Sequence, residues 1–230
     1  MKIFQFLLFS LSFCFLSFGV QAQQSETRTP GNFTQIQSGG SWDVVVQTGN
    51  KDGVRLESKN IPLSKVITEV SNGTLKVYLE KGNHRQIGLT VYVTVKNIEG
   101  LYSSGSGNMH VKSDITSGSL SLKNSGSGNI SLQKITADYL KAVMSGSGRI
   151  NATGGSVGEV SLSQSGSGDF RAEKMSADAI SVRKSGSGQS HFGRVERLEV
   201  KASGSGNVYY TGNPEIASIS TSGSSKVVKR

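Results

Sequence analysis

From residue 104 onward, apolar and polar positions alternate in step with a recurring Ser-Gly-Ser-Gly. The tetrapeptide stands at Ser104-Gly105-Ser106-Gly107 and returns with its first glycine at Gly126, Gly146, Gly166, Gly186 and Gly204; a degenerate copy, Ser222-Gly223-Ser224-Ser225, closes the series. A fixed period near 20 residues is the mark of a solenoid, in which each repeat stacks on its neighbours. Counted back from the serine before each turn, the fifth place holds Leu120, Leu140, Val160, Ile180, Leu198 and Ala217. The third holds Leu122, Ala142, Leu162, Val182, Val200 and Ile219, whereas Lys123, Val143, Ser163, Arg183, Lys201 and Ser220 between turn and core are mostly polar. Period-2 alternation of this kind predicts a strand with one buried face.

A second strand is predicted after each turn. Met109, Ile130, Ile150, Phe170 and Val208 share one inward column, broken by Ser190, and Val111, Leu132, Ala152, Ala172, Phe192 and Tyr210 share the next. Each coil thus reads as two strands and two turns, with glycine supplying positive φ at the first turn. The intervening serines, from Ser106 to Ser205, are expected to stack as a hydroxyl ladder. A polar residue follows every turn: Asn108, Asn129, Arg149, Asp169, Gln189 and Asn207. Stacked columns at strand spacing predict an all-β, right-handed parallel β-helix of about 20-residue coils. An antiparallel meander would share the period but does not need the same tetrapeptide at every second turn. Lys, Arg and Ser at the outward positions exclude a membrane β-barrel, which needs an apolar outer band.

The first hundred residues read differently. Phe33 to Gln37, Trp42 to Thr48, Val54 to Ser58, Leu63 to Val70, Thr74 to Glu80 and Leu89 to Val95 are short runs of strand formers, and Asn72-Gly73 is a strong hairpin signal. They predict a β-rich segment, residues 33–103, continuous with the solenoid and covering its first open rung. Residues 23–32, ending at Pro30-Gly31, read as a flexible lead-in, and residues 104–230 as the repeat β-helix.

Residues 1–22 read as a cleaved export signal. Lys2 precedes an apolar run from Ile3 to Val20, and Val20-Gln21-Ala22 fits a signal-peptidase site. The chain is then expected in the periplasm, on the outer cell surface or outside the cell. Cys14, the only cysteine, lies within this run, so a mature chain carries no disulfide and no thiolate ligand. The net charge of +9, or +8 without Lys2, favours anionic neighbours such as acidic glycans or lipid headgroups. Its scattered Lys and Arg argue against nucleic acid.

Phe33-Thr34-Gln35-Ile36, Trp42-Asp43-Val44-Val45-Val46, Thr74-Leu75-Lys76-Val77 and the serial Gly-Ser-Gly-Asn turns resemble the bacterial head GIN domain, or auto-transporter adhesin, family over about residues 30–225. The resemblance implies a β-helical envelope protein with an adhesin-like binding or scaffold role, and it brings no catalytic or binding residues. Expected partners are a cell-surface glycan, an envelope component or an extracellular protein, near a membrane.

Chemistry is sparse. His110 and His191 share an outward column four rungs apart, roughly 19 Å at strand spacing, too far to act together. No His–acid pair stands beside a serine in the pattern, so no nucleophile is activated. No catalytic residue, cofactor or established metal set is expected. Calcium-binding glycine repeats carry an aspartate per copy and a period of about nine residues, unlike this chain. One polar column remains: Asp178, Glu196 and Glu215 on successive late rungs form a candidate acidic stripe for a divalent cation or a basic ligand, though acids also suit a turn beside Arg197. A β-helical polysaccharide-acting lyase or hydrolase is therefore the alternative to a binding protein.

Overall fold

The computed structural model describes residues 23–85 and 87–230; the expected export signal lies outside them. The first half of the described chain contains β1 (Gln24–Arg28), β2 (Gln35–Ser38), β3 (Asp43–Thr48), β4 (Gly53–Ser58), β5 (Val66–Ser71), β6 (Thr74–Leu79), β7 (Leu89–Val95), β8 (Gly100–Ser103) and β9 (Met109–Val111), with one 3-10 turn at Leu63–Lys65. The repeats supply β10 (Ile115–Asn124), β11 (Ile130–Met144), β12 (Ile150–Gln164), β13 (Phe170–Ala172) and β14 (Met175–Lys184). They end with β15 (Ser190–Ala202), β16 (Val208–Thr211), β17 (Glu215–Thr221) and β18 (Val227–Lys229). Every pairing from β8 to β18 is parallel, which makes the repeats a β-solenoid and excludes the meander.

The inward columns assigned from alternation are buried and in register: Leu122, Ala142, Leu162, Val182 and Val200 follow one another across β10, β11, β12, β14 and β15. Each coil, however, has three short faces rather than two strands. In β11 the buried positions are Ile130 and Leu132, then Ile135 and Ala137, then Leu140, Ala142 and Met144. The adjacent outward pairs Gln133-Lys134 and Asp138-Tyr139 break the alternation and turn corners without ending the strand. The extra face carries its own column, in which Ala137, Val157, Ala177 and Val195 are consecutive partners.

The last coil departs from the expected register. A bulge at Ala217 places Ile216, not Ala217, beside Leu198, while Ile219 keeps its place beside Val200. β18 covers β16 of this coil, but among the described residues no strand stacks on β17, so Ile216 and Ile219 remain 45% and 44% exposed although they occupy core columns.

At the other end the rungs are not in chain order. β2 and β3 pair in parallel with β8 and β9, so residues 35–48 are themselves a coil of the solenoid. β6 and β7 stack in parallel on the far side of β2 and β3. The edges of that outer rung are covered by antiparallel strands, β5 on β6 and β4 on β7. The β5–β6 turn has positive φ at both Asn72 and Gly73, as the Asn-Gly signal predicts. Residues 24–28 are not a loose lead-in: β1 pairs antiparallel with β4, and the Arg28 guanidinium donates to the carbonyl oxygens of Leu63 (2.8 Å) and Val66. Backbone pairing and one arginine hold this segment in place of an apolar face. The cap thus ends in the short antiparallel strands β1 and β5, and charged Glu26 and Arg28 on β1 disfavour further strand addition.

Candidate functional site

The Gly-Ser-Gly turns form one edge of the solenoid, and their geometry explains the glycines differently from the sequence. Only Gly204 and Gly223 among the turn glycines have positive φ. Elsewhere the neighbouring rung is the constraint: a Cβ on Gly126 would fall 1.9 Å from the carbonyl oxygen of Gly105, and one on Gly146 or Gly166 would fall 2.0 Å from that of the glycine one rung before. The same carbonyls accept from the next rung, with Gly148 N donating to Gly126 O at 3.1 Å and Gly168 N to Gly146 O at 3.2 Å. The turns are therefore backbone ladders at van der Waals contact. Gly40 opens the column, and the Trp42 ring folds over it where the next glycine would otherwise stand.

The polar residue after each turn carries the outer side-chain ladder. Asp43 Oδ1 accepts from the backbone N–H (2.9 Å) and Nδ2 (3.2 Å) of Asn108, and Asn108 Oδ1 accepts from the same groups of Asn129 at 3.0 and 3.2 Å. Asn129 caps Arg149 N, Asp169 caps Gln189 N and Asn207 caps Lys226 N. Arg149 has no acceptor to continue the series. The intervening serines do not form the expected ladder: among the described residues Ser106, Ser127, Ser147, Ser167, Ser187 and Ser205 share no side-chain hydrogen bond. They point to solvent, whereas an Asx side chain reaches the next amide.

A second polar column runs inside the turns. Asn124, Met144, Gln164, Lys184 and Ala202 stand in register immediately before the pre-turn serines, on the inward parity. Asn124 Nδ2 donates to Gly128 O at 2.8 Å, Gln164 Nε2 to Gly168 O at 2.5 Å, and Lys184 Nζ to Gly188 O. Each fills the turn from within and satisfies a carbonyl that no strand reaches. Ser190, the break in the apolar column, is fully buried; its hydroxyl donates to Gln164 Oε1 at 2.6 Å and lies 3.5 Å from Lys184 Nζ. Lys184 is 4% exposed and has no carboxylate partner among the described residues. Burial pulls its ammonium from 10.5 down to about 8, against a weaker upward pull from Asp169.

A charged cluster occupies the outward side of the late rungs. Asp169 lies 3.1 Å from Arg171 and 3.6 Å from Arg149. Burial alone would raise this carboxyl, but the Gln189 amide and the two guanidiniums outweigh it and hold it below the usual range. His191 Nε2 lies 3.1 Å from Gln189 Oε1 and its Nδ1 lies 3.7 Å from Glu173, a His–acid proximity absent from the sequence reading. The imidazole is buried, stacks on Tyr209 at 4.7 Å, and burial lowers its pKa. Ser190, its neighbour in sequence, faces the opposite way into the core, so the pair has no serine to activate. His110 and His191 do share a column, with Ser131, Asn151 and Arg171 between them.

The acidic stripe is not one column. Ala177 pairs with Val195, which sets Asp178 beside Glu196, but Glu215 pairs with Arg197. All three are exposed, and Glu196 lies 3.7 Å from Arg194. No three His, Asp or Glu side chains among the described residues are grouped to hold a metal ion. The interior column and its network were missed because Asn, Gln and Lys share no chemistry; only their inward parity, and Ser190 interrupting an apolar column, signalled them.

Together these features define a parallel β-solenoid with a laddered turn edge and polar outer faces. Residues 32–214 match the family described as "Putative auto-transporter adhesin, head GIN domain", and the chain belongs to it. Similar solved structures include a "putative adhesin" from Bacteroides fragilis NCTC 9343, with TM-score 0.85 and 20% identity, covering 91% of this chain and 98% of that one. A "putative adhesin" from Parabacteroides distasonis ATCC 8503 follows with TM-score 0.73, 21% identity, and 91% and 98% coverage. A "Putative lipid binding protein" from the same strain has TM-score 0.62 and 23% identity, covering 90% of this chain and 96% of that one. At these identities the likeness carries the fold alone. No curated protein matches the chain significantly.

Proposed function

We propose that this protein is an exported, non-enzymatic binding module of the cell envelope or surface, adhesin-like in its use of an extended solenoid face. The observation that carries the reading is the distribution of chemistry: outward positions form long, flat rows of Lys, Arg, Ser and Asx. The buried polar groups, Gln164, Lys184 and Ser190, are consumed in holding turns. An enzyme of the β-helical polysaccharide class would need two acids or a His–acid pair converging on one cleft. His191 and Glu173 approach each other with the imidazole buried against Tyr209, which leaves no room for substrate between them. Membership in the adhesin family supports the same reading. Candidate partners are an acidic glycan, another envelope component or an extracellular protein. The net charge of +9 makes anionic lipid headgroups a second class of candidate, and one structural neighbour is described as lipid binding.

Incubating the protein with arrayed surface glycans, followed by analysis of the released material, tests this function. Retention without shortened products is expected. Cleaved oligosaccharides would overturn the non-enzymatic reading.

A further inference from the structure

We propose that the strip between the outward Arg183–Lys201 pair and the pre-turn serines is a binding site for a phosphate group. The inference rests on the binding function above and names its ligand chemistry. A groove of about 420 Å³ runs here across β12, β14, β15 and β17, lined by Ser163, Arg183, Ser185, Lys201, Ser203 and Ser220 among others. Arg183 and Lys201 are direct partners on adjacent parallel strands, both exposed. Like charges opposed in a sheet destabilise it. Neither cation has a direct partner: among the described residues neither makes an ion pair or a side-chain hydrogen bond, and no acid lines the groove. Glu199, on the same face, is a partner of Ser181 and Ser218 in the next outward column.

The adjoining face shows what relief looks like. There Arg149 and Arg171 flank Asp169, which approaches both. Beside Arg183 and Lys201 that central anion is missing, and a third cation, Lys184, lies beneath with backbone carbonyls for partners. A tetrahedral oxyanion matches this set of donors. The guanidinium fork takes two of its oxygens, the lysine supplies a point charge, and serine hydroxyls donate to the remainder. A phosphate group offers more acceptor oxygens than a carboxylate, so it can engage both cations and the hydroxyls on either side at once. The phosphate can belong to a lipid headgroup or to a soluble phosphate ester.

Thermal unfolding of the mature chain in a titration of inorganic phosphate tests the site, since a ligand of the native state raises the melting temperature by mass action. A saturable rise is expected for the natural sequence. The double variant Arg183→Gln/Lys201→Gln should bind at least about tenfold more weakly. Ser163→Asp, which sets a carboxylate opposite Arg183, should do the same, and Lys141→Gln in the neighbouring column should leave the rise intact. All four positions are outward, so these variants keep the core. Sedimentation with vesicles of phosphatidylcholine, with and without phosphatidic acid, separates the sources. Retention only on phosphatidic acid assigns a headgroup; a phosphate response without retention assigns a soluble ester. No response to phosphate together with no retention overturns the proposal, as does an undiminished response in the double variant. Either negative result would leave the glycan-retention assay untouched, so the two readings fail separately.

Discussion

A Cβ on Gly146 or Gly166 would fall 2.0 Å from the backbone of the rung before, whereas at Gly223 the corresponding distance is 2.7 Å and φ is +72°. The middle and last coils carry related tetrapeptides under different constraints. In the middle, glycine is required because two backbones occupy adjacent space; at the end, the approach is looser and a positive φ adds its own demand for glycine. The same change appears in the core. Leu162 and Val182 are sealed between rungs, while Ile216 and Ile219 hold equivalent columns with no rung above them. Stacking, rather than local turn preference, is what gives the repeat its residues.

The comparison breaks most severely at Leu162. Leu162→Asp would bury an unpaired carboxylate between Ala142 and Val182, a change that costs several kcal/mol and removes the partner of each neighbouring rung. Loss of cooperative folding by circular dichroism is expected, whereas Ser163→Asp, one residue on and exposed, should shift stability by no more than about 0.5 kcal/mol. Equal melting of the two variants would refute the inward and outward assignment.

Next in size is Gly146→Ala, which forces two rungs apart and should cost roughly 3 kcal/mol by denaturant titration. Gly118→Ala, on an open corner where the Cβ meets nothing closer than 3.8 Å, should be neutral or slightly stabilising. Gly223→Ala should lie between them, at about 1–2 kcal/mol for the positive φ, with fraying limited to the last coil.

Lys184 makes the interior of the middle turns sensitive to pH. Its folded pKa of about 8 lies below its ordinary 10.5, so between these values the unfolded chain binds the extra proton. The penalty of the buried ammonium is fully present below pH 8 and is relieved as pH rises toward 10.5; stability therefore increases across that window by about 3 kcal/mol. Lys184→Met, which repeats the residue already found at Met144 in the same column, should abolish that rise while folding normally. A retained rise in the variant would place the titration elsewhere. A small effect is also expected at the open end, where Ile219→Thr should cost less than about 1 kcal/mol, against 2–5 kcal/mol for Leu162→Ala.

The repeat, the parallel stacking and the inward columns were legible because a period of two inside a period of twenty leaves little alternative. The third face was not, because Ile135 and Ala137 form an alternation too short to stand out between corners that do not interrupt the strand. Rung order at the N-terminus was hidden for a different reason. β2 and β3 look like any strand pair, and only pairing partners reveal that β6 and β7 were threaded outside them. β1 has no apolar alternation to announce it. Among candidate site residues, Asp178 and Glu196 aligned as counted, but the bulge at Ala217 carried Glu215 to Arg197. A count back from the turn cannot see an extra residue. Arg183 and Lys201 stood plainly in the outward column, yet their lack of a neutralising acid is a fact of three dimensions.

Amide hydrogen exchange resolved by residue tests the stacking claim most directly. The Gly148 and Gly168 amides donate to the rung before, so they should be protected to the same degree as the flanking strand amides of β11 and β12. Protection should fall away at Ser224, whose amide bonds to Gly204 O in the uncovered last coil. Exchange of Gly148 and Gly168 at the rate of free loops, with strands still protected, would contradict the account, because the turns would then be ornaments on the solenoid and not part of its stack.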